Sequence, residues 1–216
     1  MKKFLILIFL LSGFCVKAQP VLKGGLESFI NSNIIYPAYS YQNCVQGNIR
    51  VSFKINKQGE VYSSKVSKGL GIDLDKEALR LIRMTSGKWS VPDNYDTTYV
   101  LIAPVNFKLN SDDCNRVSQM DMNRAIAVYK ANEGLTEAIQ NFYRNKAAGK
   151  YDASEEPRIT ALKKELGYDD EFLQEKIKEG EKKLRQKDRQ GACEDFLFVK
   201  YLGSALADEL LEKYCR

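Results

Sequence analysis

The sequence predicts an α+β fold: a three-stranded antiparallel sheet with two helices on one face, followed by an all-α helical-hairpin domain. Three observations carry that prediction. Three stretches between residues 47 and 107 alternate apolar and polar side chains, the period of a half-buried strand. Two further stretches set apolar residues at helical spacing, and their stripes can be buried on the sheet's apolar face while its other face stays open. After Asn110 the alternation stops and helical spacing takes over.

Leu26, Phe29, Ile30 and Ile34 share one face of a first helix. That helix must end before Tyr36-Pro37, because proline disfavours helical backbone in the residue ahead of it. Ile49, Val51, Phe53 and Ile55 alternate with Asn48, Arg50, Ser52 and Lys54 as the first strand. Asn56-Lys57-Gln58-Gly59 supplies a turn, with a glycine free to take positive φ, and Val61 to Val66 returns as a more polar second strand. Leu74, Ala78, Leu81 and Ile82 form the stripe of a second helix, capped by Asp73 with Asp75 in its first turn. Tyr99, Leu101, Ala103, Val105 and Phe107 alternate along a long third strand.

The second helix carries the chain back across the sheet, so the third strand runs antiparallel to the first and can pair beside it. The expected strand order is two-one-three. Pro104 supports an edge position, since a proline cannot donate to both neighbours of a central strand. This arrangement brings the start of the first strand near the end of the third, where Cys44 and Cys114 stand, and these two cysteines should meet.

Beyond the polar stretch Asn110-Ser111-Asp112-Asp113, Leu135, Ala138, Ile139 and Phe142 mark one helix. Leu162 and Leu166 mark a short one ended by Gly167, and Phe172, Leu173, Ile177 and Leu184 a longer one. Ala192, Phe196 and Val199, then Ala207, Leu210, Leu211 and Tyr214, form two helices separated by Leu202-Gly203. This last segment resembles a tetratricopeptide-like helical pair over about one repeat, whereas such arrays usually need three or more. Cys193 opens the first of the two and Cys215 closes the second, so an antiparallel hairpin sets them face to face. The basic run from Lys176 to Arg189 is interleaved with Glu179, Glu181 and Asp188 and reads as a solvated helix face.

At the N-terminus Lys2 and Lys3 precede an apolar stretch, Phe4 to Val16, and Val16-Lys17-Ala18 offers a small-residue cleavage site. That stretch is shorter than the roughly 20 residues a membrane-spanning helix needs, so the expected reading is a cleaved secretory signal peptide, with Gln19 first in the mature chain. Lipidation at Cys15 and retention as an anchor are the rival readings. The expected division is a signal peptide over 1–18, the sheet domain over 19–110, a linker over 111–115 and the helical domain over 116–216. The whole sequence carries 33 Lys and Arg against 28 Asp and Glu, a net charge of +5. Without Lys2, Lys3 and Lys17 it sits close to neutral, which gives no argument for nucleic acid. An exported chain in an oxidising compartment, left with the four cysteines Cys44, Cys114, Cys193 and Cys215, is expected to hold two disulfides.

The chain has no histidine, which removes Ser-His-Asp and Cys-His nucleophile systems, histidine metal ligands and the usual neutral-pH general base. Asp73 with Asp75 and Asp112 with Asp113 are the surviving carboxylate pairs, and helix termini and a polar linker account for them. Gly69-Leu70-Gly71 lacks the third glycine and the βαβ setting of a nucleotide loop. No catalytic residue, metal, cofactor, nucleic acid or small-molecule substrate is expected.

From Tyr36 to Leu109 the pieces form one ordered pattern: Tyr36-Pro37, the strand QGNIRVSFKI, the turn NKQGEV, the helix LDKEALRLI, the Trp89 segment KWSVP and the strand YVLIAPVNFKL. This pattern resembles the C-terminal domain of TonB-type energy transducers. The resemblance implies a periplasmic protein-binding module that takes a short segment of an outer-membrane transporter, or of another envelope partner, as an added strand beside its third strand. The implied contact residues are Tyr36, Pro37, Tyr99, Leu101, Ala103, Val105 and Phe107. A proline at Ala103 compared with one at Val105 is expected to separate an inward-facing N–H from an outward one. Asn33-Ile34-Ile35 stands where well-known members carry a glutamine-rich lead-in. No Pro-rich spacer precedes Gly24, so the expected role is binding linked to transmembrane transport, without a motor connection. The alternatives are an envelope scaffold binding through the helical domain, and a membrane-anchored energy transducer.

Overall fold

The computed structural model describes residues 19–215; the expected signal peptide, the lipidation site Cys15 and the cleavage site lie outside them. The fold is α+β, a three-stranded antiparallel sheet with helices followed by a helical region, as the alternation predicts. β1 (Val21–Leu22) leads into α1 (Leu26–Asn33), which ends ahead of Tyr36-Pro37. Pro37 then serves as the N-cap of a short helix, α2 (Ala38–Gln42), that the sequence pattern did not reveal.

β2 (Gly47–Ile55) and β3 (Val61–Lys68) pair antiparallel around the predicted turn. Asn56 builds that turn, its side-chain oxygen accepting from the N–H groups of Gln58 and Glu60 at 3.0 and 2.8 Å. Gly59 takes φ +75°, and a Cβ there would stand 2.3 Å from the Trp89 carbonyl oxygen, so glycine is required twice over. α3 (Asp73–Arg83) follows, with Leu74, Ala78, Leu81 and Ile82 fully buried on the sheet. The expected cap needs correction. Ile72 is the N-cap and contributes no side-chain bond, while Asp73, one residue inside, bonds the N–H and hydroxyl of Ser40. Asp75 instead accepts from the N–H groups of Leu70 and Gly71, both at 2.9 Å.

β4 (Trp89–Ser90) pairs with β1 in a two-residue ladder, and β5 (Leu101–Phe107) runs antiparallel to β2. The sheet order is β3-β2-β5, the order argued from the crossover. Its apolar face, Ile49, Val51, Phe53, Ile55, Ala103, Val105 and Phe107, meets α3 and Ile30 of α1 in one core.

α4 (Asp112–Asn115) occupies the expected linker. α5 (Gln119–Ala147) begins well before Leu135, because the Ser118 hydroxyl accepts from the Asp121 N–H and caps it. Ala125, Ile126 and Tyr129 on its first half pack on the sheet core, whereas Ile139 and Tyr143 belong to a second core. The second core is built with α6 (Glu156–Glu165), α7 (Asp170–Arg185), α8 (Arg189–Tyr201) and α9 (Asp208–Tyr214). Gly180 lets α7 approach α8 closely, since a Cβ there would lie 2.5 Å from the Phe196 ring.

Both predicted disulfides are present. Cys44–Cys114 has its Cα atoms 5.1 Å apart and Cys193–Cys215 has them 5.6 Å apart. The helical region also docks on the sheet domain. Buried Arg83 of α3 donates to both carboxylate oxygens of Glu194, at 2.7 and 2.8 Å, and to the Ser64 hydroxyl at 2.8 Å.

Candidate functional site

The sheet has two edges, and they are treated differently. On the β3 side, Ser64 stands opposite Phe53. Its N–H donates to the side-chain oxygen of Gln190 at 2.9 Å, and its carbonyl accepts from the Gln190 amide nitrogen at 2.8 Å. A primary amide presents an N–H donor beside a carbonyl acceptor in one plane, so Gln190 of α8 stands in for a residue of a neighbouring strand. That edge is covered there.

On the β5 side no further strand is paired among the described residues. Which groups face outward follows from the register and from Pro104. Arg50 pairs with Pro104, and a residue without an N–H belongs at a non-hydrogen-bonded pair, whose main-chain groups point away from each other. Alternation then turns the main-chain groups of Ile102, Pro104 and Asn106 outward and those of Leu101, Ala103, Val105 and Phe107 toward β2. The β3 side agrees: the same alternation across β2 predicts that Ser64 points outward, and its bonds to Gln190 show that it does.

Five of the residues named from the sequence belong to this element or its approach, and the structure gives them different duties. Ala103, Val105 and Phe107 are 0, 0 and 1 % exposed, so they form the wall behind the edge. Leu101 packs at the rim of the same core. Ala103 and Val105 stand two apart and share one direction, so a proline comparison between them cannot separate inward from outward. Tyr99 lies before the strand rather than in it. Asp96 accepts from the N–H and hydroxyl of Thr98 at 2.9 and 2.7 Å, a turn that delays the start of β5 to Leu101. The groups missed were Ile102 and Asn106, and the signal for them was present: the parity of Pro104 names the outward set.

Tyr36 and Pro37 flank the other end of β5. The Tyr36 ring meets Phe107 edge-on at 5.8 Å and exposed Tyr41 at 6.2 Å. Its hydroxyl donates to the Val45 carbonyl at 2.8 Å. Burial, followed by the charge of Asp73, pushes this phenol up to about 12, which keeps it a donor at physiological pH. Pro37 acts locally as the cap of α2. The Cys44–Cys114 bridge closes this end, joining the chain just before β2 to the chain just after β5. At the opposite end Val100 and Ile102 are 55 and 64 % exposed, beside Tyr62, whose hydroxyl donates to the Thr97 carbonyl.

Asp73, Asp75 and Asp113 are engaged in structure. Asp73 and Asp75 hold Ser40 and the Leu70-Gly71 turn, and Asp113 pairs with Arg116 at 2.6 Å. Among the described residues no group of three or more cysteines or carboxylates is placed to hold a metal. No described helix is long and apolar enough to cross a membrane.

Residues 32–109 match the family described as Gram-negative bacterial TonB protein C-terminal, the segment from which the resemblance was read. No curated protein and no solved structure matches the chain. The matched family comprises non-enzymatic protein-interaction domains of envelope-associated, periplasmic proteins, which bind proteins such as outer-membrane transporters. Over this segment the chain is similar to a TonB-like envelope protein-interaction module.

Proposed function

We propose that this chain is a periplasmic protein-binding module that takes an extended segment of an outer-membrane transporter, or of another envelope partner, as a fourth strand along the outer side of β5. The observation that carries this reading is the contrast between the two edges: Gln190 covers the β3 edge at Ser64, and β5 ends the sheet with no strand on its outer side among the described residues. Main-chain hydrogen bonds to Ile102, Pro104 and Asn106 supply affinity, and pockets beside the edge supply selectivity. The open face beside that edge carries Arg50, Lys54 and Lys65 and no acidic side chain from the paired strands, which favours a partner strand with acidic residues on that face. In this reading residues 19–110 bind, residues 116–216 form a helical adaptor, and residues 1–18 direct export and are cleaved off. The role is linked to transmembrane transport.

The test uses proline at two parities. Asn106→Pro removes an outward N–H and should weaken capture of the crosslinked envelope partner about tenfold, with the urea midpoint unchanged. Val105→Pro removes a bond to β2 inside the sheet and should destabilise the fold by about 2 kcal/mol or more. Full capture by a folded Asn106→Pro protein would remove the β5 edge from the reading.

A second reading has its own observation. The outward face of α5 exposes Met120, Val128 and Leu135, at 68, 50 and 42 %, and would serve an adaptor that binds through its helices. Partner capture lost in Val128→Lys but kept in Asn106→Pro would favour it.

A further inference from the structure

The two disulfides sit in opposite surroundings. Cys44 and Cys114 are each 9 % exposed and lie under Tyr36, Leu109 and Val117. Cys193 and Cys215 are half-buried, and both line a cleft of about 630 Å³ between the β3 edge and the start of α8. Lys187 and Arg189 stand in the same wall, with Tyr62 across from them. Among the described residues the carboxylate lining the cleft is that of Glu60, and the Asn56 amide bonds it at 2.9 Å. Arg189 also donates to the Tyr214 carbonyl, next to Cys215, which fixes a cation beside the bridge.

We infer that this cleft is a docking site for small anionic thiols and that Cys193–Cys215 is a reducible bridge selected by their charge. The anionic tail of the reagent rests on the Lys187 ammonium while its thiolate attacks one sulfur of the bridge. The S–S bond breaks, its electron pair leaves with the other cysteine as a thiolate, and a mixed disulfide forms. A second thiolate attacks the reagent's sulfur in that mixed disulfide and releases the remaining cysteine. The reagent leaves as its own disulfide, and the protein has gained two electrons and, after protonation, two thiols. Cations beside the bridge favour approach of a negatively charged thiolate and stabilise the thiolate left behind.

The opening has a structural consequence. Reduction removes the covalent tie between α9 and α8, and α8 carries Gln190 and Glu194, the side chains that hold the β3 edge and Arg83. The redox state of the C-terminal hairpin therefore bears on the contact between the two parts of the molecule. This inference stands independently of strand addition at β5.

The experiment treats the full oxidised chain with mercaptoethanesulfonate, mercaptoethanol or cysteamine, followed by timed alkylation and peptide mass mapping. Rates are corrected for each reagent's thiolate reactivity with a small reference disulfide. Cys193–Cys215 should open at least about tenfold faster than Cys44–Cys114, and the sulfonate thiol should outpace cysteamine about tenfold at low salt. Lys187→Gln should reduce that charge preference several-fold while far-UV circular dichroism stays unchanged. Salt should suppress the preference in wild type. Equal rates at the two bridges, no dependence on reagent charge, or a preference that survives in both Lys187→Gln and Arg189→Gln would each overturn the inference.

Discussion

Asp188 shows how much one side chain is asked to do at the junction between the two parts. It caps α8 by accepting from the Gly191 N–H at 2.7 Å, and its carboxylate lies 3.8 Å from the Arg83 guanidinium. Burial nevertheless raises its pKa above the ordinary value of 3.8, outweighing the attraction of Arg83 and Lys183, with Glu194 adding repulsion. Folding therefore favours the protonated form. That contribution is complete below the unfolded value and is lost as pH climbs through the raised folded value. Asp188→Asn keeps the capping oxygen and does not ionise. Its stability relative to wild type should improve as pH rises through that window and stay level above it, read from urea midpoints across the mildly acidic range. A difference that is flat in pH would mean that burial does not strain this carboxylate. Nothing local in the sequence announces this arrangement, because Arg83 and Asp188 are brought together by the docking of two separate parts.

At the scale of elements, what was legible follows periodicity and length. β2, β5 and α3 carry several repeats of their period, and the residues that the alternation and the helical stripe nominate are buried apart from half-buried Leu101. Ser52, Glu77 and Arg83 are buried beside them without having been nominated. β1 and β4 have two residues each, too few to show any period, and α2 has five, so each depends on its neighbours. The candidate site was legible as an edge and misread in detail. Side chains that alternate inward identify the wall, while the main-chain groups on the outer side of the edge belong to the residues between them. The covered edge could not be foreseen either, since Gln190 reaches Ser64 across 126 residues of sequence. Its contribution is measurable. Gln190→Ala leaves a buried N–H and C=O without their partner and should destabilise the chain by about 1–3 kcal/mol in urea unfolding. Unchanged stability would show that water replaces the amide and that the edge is less closed than its geometry indicates.

Among the described residues the two larger cores are joined by α5, which packs on both, by the contacts of Arg83 with Glu194 and Asp188, and by the Gln190–Ser64 contact. Each core has its own crosslink. By chain entropy, the bridges at separations of 70 and 22 residues stabilise by about 4 and 3 kcal/mol at most. The first has a mechanical meaning as well. When the chain is stretched from its two ends, tension reaching Cys44 passes through the sulfur atoms to Cys114, and residues 45–113 bear none of it. The sheet hangs beside the line of force, so β5, the strand proposed to take a partner, stays intact while load runs past it. In single-molecule pulling, the oxidised protein should lack a length release of roughly 240 Å that appears once this bridge is reduced. The sheet is a tool fixed to a cable, and end-to-end pull on the cable does not unravel the tool.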